Sequence, residues 1–230
     1  IEVTYGHNNP YAGGQPFRME FKNNVVKNSL IKGNTYGIYN GCNCHGSFGS
    51  HFIDNYILNN QIISNSEDGI YLSMMPGGST DADTGKIAGN VISANTITQN
   101  GRGLVMETRA GAGYIQNNQV TDNTITGNGY GISVLSCSYS GAGCPFFNNN
   151  FSRNNISSNE LTGLEMVLWY SGSYGCSSEP GCNYGNIISD SIIENNTVGI
   201  EILPASTWSQ RPATNAGTTI DNVTISYNRE

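Results

Sequence analysis

The chain has 230 residues, a net charge of −7 and only 12% charged residues, which suits one sizeable domain and argues against nucleic-acid binding, because that needs a basic surface. Asparagine (32 residues) and glycine (29 residues) dominate the composition, and both favour turns over helices, which argues against an α-helical protein. No apolar run is long enough to span a bilayer, and the chain starts at Ile1 without a signal peptide, so we expect no membrane insertion and a single domain, residues 1–230, cut from a larger protein.

A short phrase, Ile-x-x-Asn, repeats along the chain and is its strongest signal. A second apolar residue lies five positions before each Ile, and a glycine followed by an apolar residue comes after six of the copies. In chain order, the copies are Ile31/Asn34, Ile62/Asn65, Ile97/Asn100, Ile125/Asn128, Ile156/Asn159, Ile192/Asn195 and Ile225/Asn228. The earlier apolar residues are Val26, Ile57, Ile92, Val120, Phe151, Ile187 and Ile220, and the glycine pairs are Gly37-Ile38, Gly69-Ile70, Gly103-Leu104, Gly131-Ile132, Gly163-Leu164 and Gly199-Ile200.

This repeat predicts an all-β fold, a right-handed, single-stranded parallel β-helix (solenoid) of about seven coils with three short strands each. The apolar anchors face inward from strands that stack about 4.8 Å apart. The asparagines are expected to form a ladder along the stack, and the glycines to meet a positive φ or a close approach that excludes a Cβ. A leucine-rich repeat also uses an asparagine ladder, but it needs leucine at most anchors and a helical back segment, whereas the anchors here are mostly β-branched.

Six segments of variable length follow the glycine strands and are expected to leave the rod at one corner as a loop wall. They are residues 40–56, 73–91, 107–119, 135–150, 167–186 and 203–219. All six cysteines fall in these segments, which favours an oxidising compartment with disulfides Cys137–Cys144 and Cys176–Cys182, and a less secure Cys42–Cys44 pair. Free thiols and a metal site are the alternatives. His45 and His51 could act as a base or as metal ligands, or be solvated loop residues.

The phrase Ile-Thr-Gly-Asn-Gly-Tyr-Gly-Ile at 125–132 resembles the repeat of right-handed β-helix proteins in the pectate-lyase-like superfamily. The asparagine-rich style is similar to that of archaeal disaggregatase-associated domains, which act on a cell-surface polysaccharide. The resemblance covers residues 21–228. It implies a floor of outward-facing side chains beneath the loops on which an extended saccharide lies, in an extracellular or cell-surface protein.

Alternation along the glycine strands predicts two outward columns. The first is Tyr39, Tyr71, Val105, Ser133, Glu165 and Glu201, and the second is Gly41, Ser73, Glu107, Leu135, Val167 and Leu203. Glu165 and Glu201 should lie about 5 Å apart on adjacent coils, the separation used by the acid/base and nucleophile of a retaining glycosidase. Two solvated glutamates that splay apart are the alternative.

Glu107 and Arg109 form a second candidate catalytic group, with Arg102 at the preceding turn. An arginine offers a planar pair of N–H groups to a uronate carboxylate, and the resemblance implies that such a residue near the floor removes the C5 proton in a lyase. A surface ion pair of little consequence is the alternative.

Weaker signals complete the site. Asp81 and Asp83 precede Gly85 as in a calcium loop but lack a distal bidentate glutamate, so a polar loop is the alternative to a calcium site. Tyr39 and Tyr71 on the floor, and Trp169 and Tyr170 beyond it, suit stacking on sugar rings or packing among the loops.

We therefore expect a β-helix that cleaves a cell-surface or matrix polysaccharide, including a uronate-containing one, by lyase or hydrolase chemistry. A non-catalytic adhesin rod that binds glycan or protein through its loop wall is the alternative. The strand edges at both ends of the rod also predict flanking domains or a homo-oligomer.

Overall fold

The computed structural model describes residues 2–4, 20–41, 51–74, 85–108, 113–138, 146–170, 183–206 and 217–229, with the backbone alone at 2–4, 137–138, 168–170 and 204–206. These residues form β-strands that pair in parallel with the strand one repeat away. The predicted fold class, an all-β parallel solenoid, is confirmed. None of the described residues belongs to a helix that could cross a membrane.

Four parallel sheets run along the rod, where three were expected. Sheet I contains Glu20–Lys22, His51–Ile53, Gly85–Ala88, Gly113–Gln116, Phe146–Phe147 and Asn183–Tyr184. Sheet II contains Val25–Lys27, Tyr56–Leu58, Val91–Ser93, Gln119–Thr121, Asn150–Ser152, Asn186–Ser189 and Thr218–Asp221. Sheet III contains Leu30–Lys32, Gln61–Ile63, Thr96–Thr98, Thr124–Thr126, Asn155–Ser157, Ile192–Glu194 and Thr224–Ser226. Sheet IV contains Glu2–Thr4, Ile38–Gly41, Asp68–Met74, Arg102–Thr108, Tyr130–Ser138, Thr162–Tyr170 and Val198–Ser206.

The additional sheet is sheet I, whose short strands lie near the ends of the segments that were expected to be loops. Most of its strands are separated from those of sheet II by a corner of two residues, such as Gly89 and Asn90 between Ala88 and Val91, and Gly185 alone separates Tyr184 from Asn186. The first residue of each corner is left-handed, with φ +66° at Gly89. One left-handed residue turns the chain enough to start a new strand, so a five-residue unit makes each of the two sides formed by sheets II and III.

Left-handed residues recur at all three corners that separate sheets I to IV. They comprise sixteen non-glycine residues and five glycines among the described residues, and each lies at one of these corners. Seven of the sixteen are asparagine and three are aspartate, the side chains that tolerate this conformation best. The asparagine-rich composition is thus partly a requirement of the corners.

Three ladders of polar side chains follow the left-handed residues, where one ladder was expected. They are Asn24, Asn55, Asn90, Asn118, Asn149 and Asn186; Ser29, Asn60, Asn95, Asn123, Asn154 and Ser191; and Asn34, Asn65, Asn100, Asn128, Asn159, Asn196 and Asn228. Asn100 is representative: its Oδ1 accepts from the backbone N (3.0 Å) and Nδ2 (2.9 Å) of Asn65. Its Nδ2 donates to Asn128 Oδ1 at 3.0 Å and to the Ile62 carbonyl at 3.2 Å. The ladders therefore satisfy the backbone groups that the corners remove from the sheets.

The sixth copy of the repeat lies one residue later than predicted. Ile193, not Ile192, pairs with Ile156 and Ile225, and Asn196, not Asn195, accepts from Asn159. The same shift makes Ile188 the anchor in place of Ile187. The sequence has two isoleucines at 192–193 and two asparagines at 195–196, so the repeat pattern fits either register. In the observed register, Asp190 and Asn195 adopt the left-handed conformation at the corners. In the predicted register, Ser189 and Glu194 would have to adopt it.

The core is a continuous column of inward-facing aliphatic and aromatic side chains. It includes Ile62, Ile97, Ile125 and Ile193, all with no exposed surface. The repeated glycines are explained by close approach: a Cβ on Gly103 would lie 2.5 Å from the carbonyl oxygen of Gly131. The coils can therefore stack at this corner only without a side chain.

Candidate functional site

Sheet IV carries both predicted outward columns in the predicted register. Tyr39, Tyr71, Val105, Ser133, Glu165 and Glu201 are successive partners, as are Gly41, Ser73, Glu107, Leu135, Val167 and Leu203. The strands of this sheet reach nine residues, against two to four in the other sheets, so it presents the widest outer face of the rod.

The middle of this outer face is buried, although we expected it to be exposed. Tyr71 is 5% exposed, Ser133 1% and Glu107 7%. Part of the reason is that the outward side chains cover one another. The Tyr71 ring stacks on Tyr39 (centroids 5.3 Å apart, planes 11° apart) and has the Arg102 guanidinium 5.8 Å from its centroid.

This stacking argues against the predicted role of Tyr39 and Tyr71 as rings on which a sugar stacks. Rings that stack along the rod axis use their faces on each other, and a sugar needs a free face. Tyr36 lies against both rings, at 4.6 Å from Tyr39 and 5.9 Å from Tyr71. The cluster Tyr36/Tyr39/Tyr71 therefore offers a sugar its edges and hydroxyl groups more readily than its faces.

Arg102 is held by Asp68, which the sequence reasoning missed. Arg102 Nε donates to Asp68 Oδ1 at 2.7 Å and Nη2 donates to Oδ2 at 2.9 Å. Burial raises the pKa of Asp68, against the opposing pull of the guanidinium. Burial alone would lower the pKa of Arg102, but the hydrogen bonds and charge of Asp68 outweigh it and the pKa is raised. The pair occupies the two N–H groups that were expected to receive a uronate. Asp68 could have been found because it is the register partner of Arg102, one coil earlier.

Glu107 is anchored by a second contact between adjacent coils. The Tyr71 hydroxyl donates to Glu107 Oε2 at 2.7 Å, and both side chains are buried. A buried carboxylate must be stabilised by hydrogen bonds to persist in its charged form. Tyr71 thereby acts as a donor to Glu107, a role that its position in the neighbouring column did not suggest.

Glu165 and Glu201 are register partners on adjacent strands and both are half-buried. The hydroxyl of Ser133, one coil before, donates to Glu165 Oε2 at 2.6 Å. This hydrogen bond fixes one carboxylate of the pair, while no hydrogen-bond donor among the described residues is found on Glu201. The two carboxylates therefore have different surroundings, as two catalytic acids with different roles require.

Several predicted site residues, or their side chains, lie outside the part of the chain that the structure describes. Arg109, Asp81 and Asp83 lie outside the described residues, as do Cys42, Cys44, Cys144, Cys176 and Cys182. Cys137 is described by its backbone alone, and so are Trp169 and Tyr170, which pair with Ala205 and Ser206. His51 is 3% exposed, with Nδ1 3.7 Å from Glu20 Oε1, so it is a buried residue of sheet I and not a solvated one.

The described residues contain no group of three or more histidine, cysteine, aspartate or glutamate side chains that could hold a metal ion. The methionine and histidine side chains among the described residues do not form a metal site either. Met74, Met106 and Met166 are inside the core with no exposed surface, and His51 faces Glu20. Among the described residues, the charged face of sheet IV thus offers carboxylates and one paired guanidinium.

Comparison with known families adds an identity to this architecture. Residues 17–176, most of the chain, match the model of a family described as periplasmic copper-binding protein (NosD). A comparison with curated proteins found no match. The copper binding in that description does not fit the residues described here, because their thioethers are enclosed by hydrocarbon and their carboxylates are not grouped around one point. The fold and the match agree with the predicted superfamily, and the chain belongs to the NosD family of parallel β-helix proteins with the right-handed pectate-lyase-like fold.

Proposed function

We propose that this protein is a glycan-active β-helix that hydrolyses a polysaccharide on the outer face of sheet IV. The observation that carries the proposal is the pair Glu165 and Glu201, register partners on adjacent strands. Parallel strands lie about 4.8 Å apart, and retaining glycosidases place their two carboxyl groups about 5–5.5 Å apart. A glycan laid across this face would present a glycosidic bond to both.

The different surroundings of the two glutamates suggest their roles. Glu165, oriented by the Ser133 hydroxyl, is the proposed nucleophile, because attack on the anomeric carbon needs a carboxylate held in one direction. Glu201 is then the acid that protonates the departing oxygen, and the base that activates water in the second step. Sugar hydroxyl groups would meet the edges of the Tyr36/Tyr39/Tyr71 cluster toward the first coils.

Hydrolysis is preferred to elimination for two reasons. The guanidinium of Arg102 has two N–H groups committed to Asp68, which leaves it poorly suited to receive a uronate carboxylate or to remove a proton. The outward columns also hold Glu107, Glu165 and Glu201, so a polyanionic substrate would be repelled from them. Arg109 remains the candidate base of a lyase.

An exported location fits this proposal, since the family is described as periplasmic and the substrate class lies outside the cytoplasm. The proposal assigns no residues to copper, since the described residues contain no group of three or more histidine, cysteine, aspartate or glutamate side chains. A calcium requirement through Asp81 and Asp83 stays a prediction.

The test is incubation of the purified protein with neutral, amino-sugar and uronate-containing polysaccharides. Hydrolysis would release reducing ends without absorbance near 235 nm, and that absorbance would instead indicate a lyase. Glu165→Gln and Glu201→Gln should each lower the rate by at least ~100-fold, in the range of acid/base contributions. Glu160→Gln is the matched control, because Glu160 is exposed at a corner between sheets III and IV.

A glycan-binding rod without catalysis is the second candidate, favoured by the burial of Glu107 and Asp68 in fixed contacts. It predicts saturable binding to one polysaccharide, detected by calorimetry, without new reducing ends. Activity retained in both glutamine variants would contradict the catalytic assignment and leave the binding face open.

A further inference from the structure

We propose that the outer face of sheet III is a surface through which two copies of this chain pair side by side, with their rods antiparallel. The face lies apart from sheet IV, so the inference does not depend on the proposed glycan hydrolysis. Two outward columns of side chains form the face, and the members of each column are register partners on successive coils. The first column is Leu30, Gln61, Thr96, Thr124, Asn155, Ile192 and Thr224, and the second is Lys32, Ile63, Thr98, Thr126, Ser157, Glu194 and Ser226.

The side chains of these columns differ between the ends and the middle of the rod. On the first coil, Leu30 is 58% exposed and stands two residues before the exposed Lys32. On the sixth coil, Ile192 is 44% exposed and stands two residues before Glu194. Single exposed apolar residues are common on protein surfaces. Here, however, each adjoins the one cation or the one anion of the two columns, and the two pairs lie five coils, about 24 Å, apart.

A two-fold axis that lies in the plane of the face and runs along the strands would bring these pairs together. This rotation reverses the order of the coils and keeps each column opposite itself, so the first coil of one copy faces the sixth coil of the other. Leu30 then lies opposite Ile192 of the second copy and Lys32 opposite its Glu194, and symmetry makes each contact twice. An axis along the rod would instead place Lys32 opposite Leu30, a charge against an apolar side chain.

The coils between the two pairs are suited to face one another. Thr96 and Thr98 would lie opposite Thr124 and Thr126 of the second copy, and each threonine hydroxyl can both donate and accept a hydrogen bond. The outward columns of the third, fourth and fifth coils hold threonine, asparagine and serine, none of them charged. Pairing therefore brings no like charges together in the middle of the face, where they would oppose association.

Both charged side chains can reach a partner. Lys32 is exposed, and the ion pairs between described residues do not involve it. Glu194 is half-buried and accepts a hydrogen bond from the Ser226 hydroxyl at 3.4 Å.

The size of the face sets the strength of the pairing. A five-residue side on seven coils measures about 17 Å by 34 Å, so two copies would bury about 1,100 Å² in total, near the lower limit of specific interfaces. The expected assembly is thus a reversible dimer that forms as concentration rises.

Sedimentation velocity of the intact chain, over a wide range of micromolar concentrations, tests the proposal. The wild type should pass reversibly from monomer to dimer. Lys32→Glu and Glu194→Lys should each weaken association about tenfold, because each places like charges opposite one another twice. The double variant Lys32→Glu/Glu194→Lys exchanges the charges and should restore the wild-type association. Lys27→Glu is the matched control, since it makes the same change of charge on the same coil but on sheet II, and it should leave association unchanged.

Four outcomes would overturn the proposal. The first is a wild type that stays monomeric at every concentration, including one that instead co-sediments with vesicles of anionic phospholipid, which would make a lipid surface the occupant. The second is a double variant that associates as weakly as the single ones, which would mean that the two residues do not face each other. The third is an equal loss in Lys27→Glu, which would reduce the effect to net charge. If a charge variant does not fold, Leu30→Ser and Ile192→Ser, at exposed positions, should each weaken association about tenfold, and full association of both is the fourth.

Discussion

Arg102 donates a hydrogen bond to each carboxylate oxygen of Asp68 on the adjacent coil, with N···O distances of 2.7 and 2.9 Å. Asp68 is almost fully buried and Arg102 is 31% exposed. The two partners are therefore unequal: Asp68 depends on Arg102 for its charge, whereas Arg102 can turn to water.

This asymmetry predicts that Arg102→Met is more destabilising than Asp68→Asn at pH 7. Loss of the arginine leaves a buried carboxylate without its counter-charge, at about 3–5 kcal/mol, and loss of the aspartate leaves a cation with access to water, at about 1–2 kcal/mol. Burial already raises the pKa of Asp68, and a raised pKa in the folded state stabilises the protein at low pH and less so as pH rises. The deficit of Arg102→Met should accordingly shrink between pH 7 and pH 4 in urea unfolding. A deficit that is independent of pH would contradict this account.

The register of the sixth repeat predicts opposite outcomes for two neighbouring isoleucines. Ile193 has no exposed surface and Ile192 is 44% exposed. Ile193→Ala should cost about 2–5 kcal/mol through the lost contacts and the cavity, and Ile192→Ala less than about 1 kcal/mol. Thermal or urea unfolding of the two proteins decides the matter. Comparable losses would indicate that the predicted register, with Ile192 inside, is populated.

The asparagine ladder predicts a difference between two substitutions at one position. Asn100→Ala removes the acceptor of two bonds from Asn65 and the donor of two more, and should cost about 2–4 kcal/mol because the Asn65 backbone N–H is left buried and unpaired. Asn100→Asp keeps the acceptor and places a buried charge against the Ile62 carbonyl and Asn128 Oδ1. The aspartate protein should therefore recover stability as pH falls, unlike the alanine protein. Unfolding at pH 7 and pH 4 compares them.

The solenoid could be predicted from the sequence because its signal is redundant. Each coil repeats the same anchors, so the outward columns of sheet IV followed from alternation alone, and an error at Ile192 did not spread to the next copy. The second and third ladders were also readable, since Asn55, Asn60 and Asn65 stand five residues apart, a spacing that the three-strand interpretation passed over. The contacts of the site were harder to predict. The register places Asp68 beside Arg102, but it does not show that the two side chains turn toward each other, and Tyr71 reaches Glu107 from the neighbouring column.

A final prediction concerns acid stability and the exposed corner pair Asp122 and Arg153. Both residues have positive φ, at 60° and 55°, and Arg153 Nε and Nη2 donate to Asp122 Oδ1 and Oδ2 at 2.7 and 2.9 Å. The hydrogen bond from Arg153 lowers the pKa of Asp122 below its usual 3.8, although partial burial opposes it.

A lowered pKa in the folded state means that the pair stabilises the protein above about pH 4 and that this contribution is lost as pH falls through the folded pKa. Asp122→Asn keeps the size of the side chain and can still occupy a left-handed corner, so it should be slightly less stable than the wild type at pH 7 and equally stable near pH 2. The difference should be small and should shrink in high salt, because both side chains are exposed. Urea unfolding of the two proteins from pH 7 to pH 2 measures it, and a gap that widens on acidification would reverse the assigned direction of the shift.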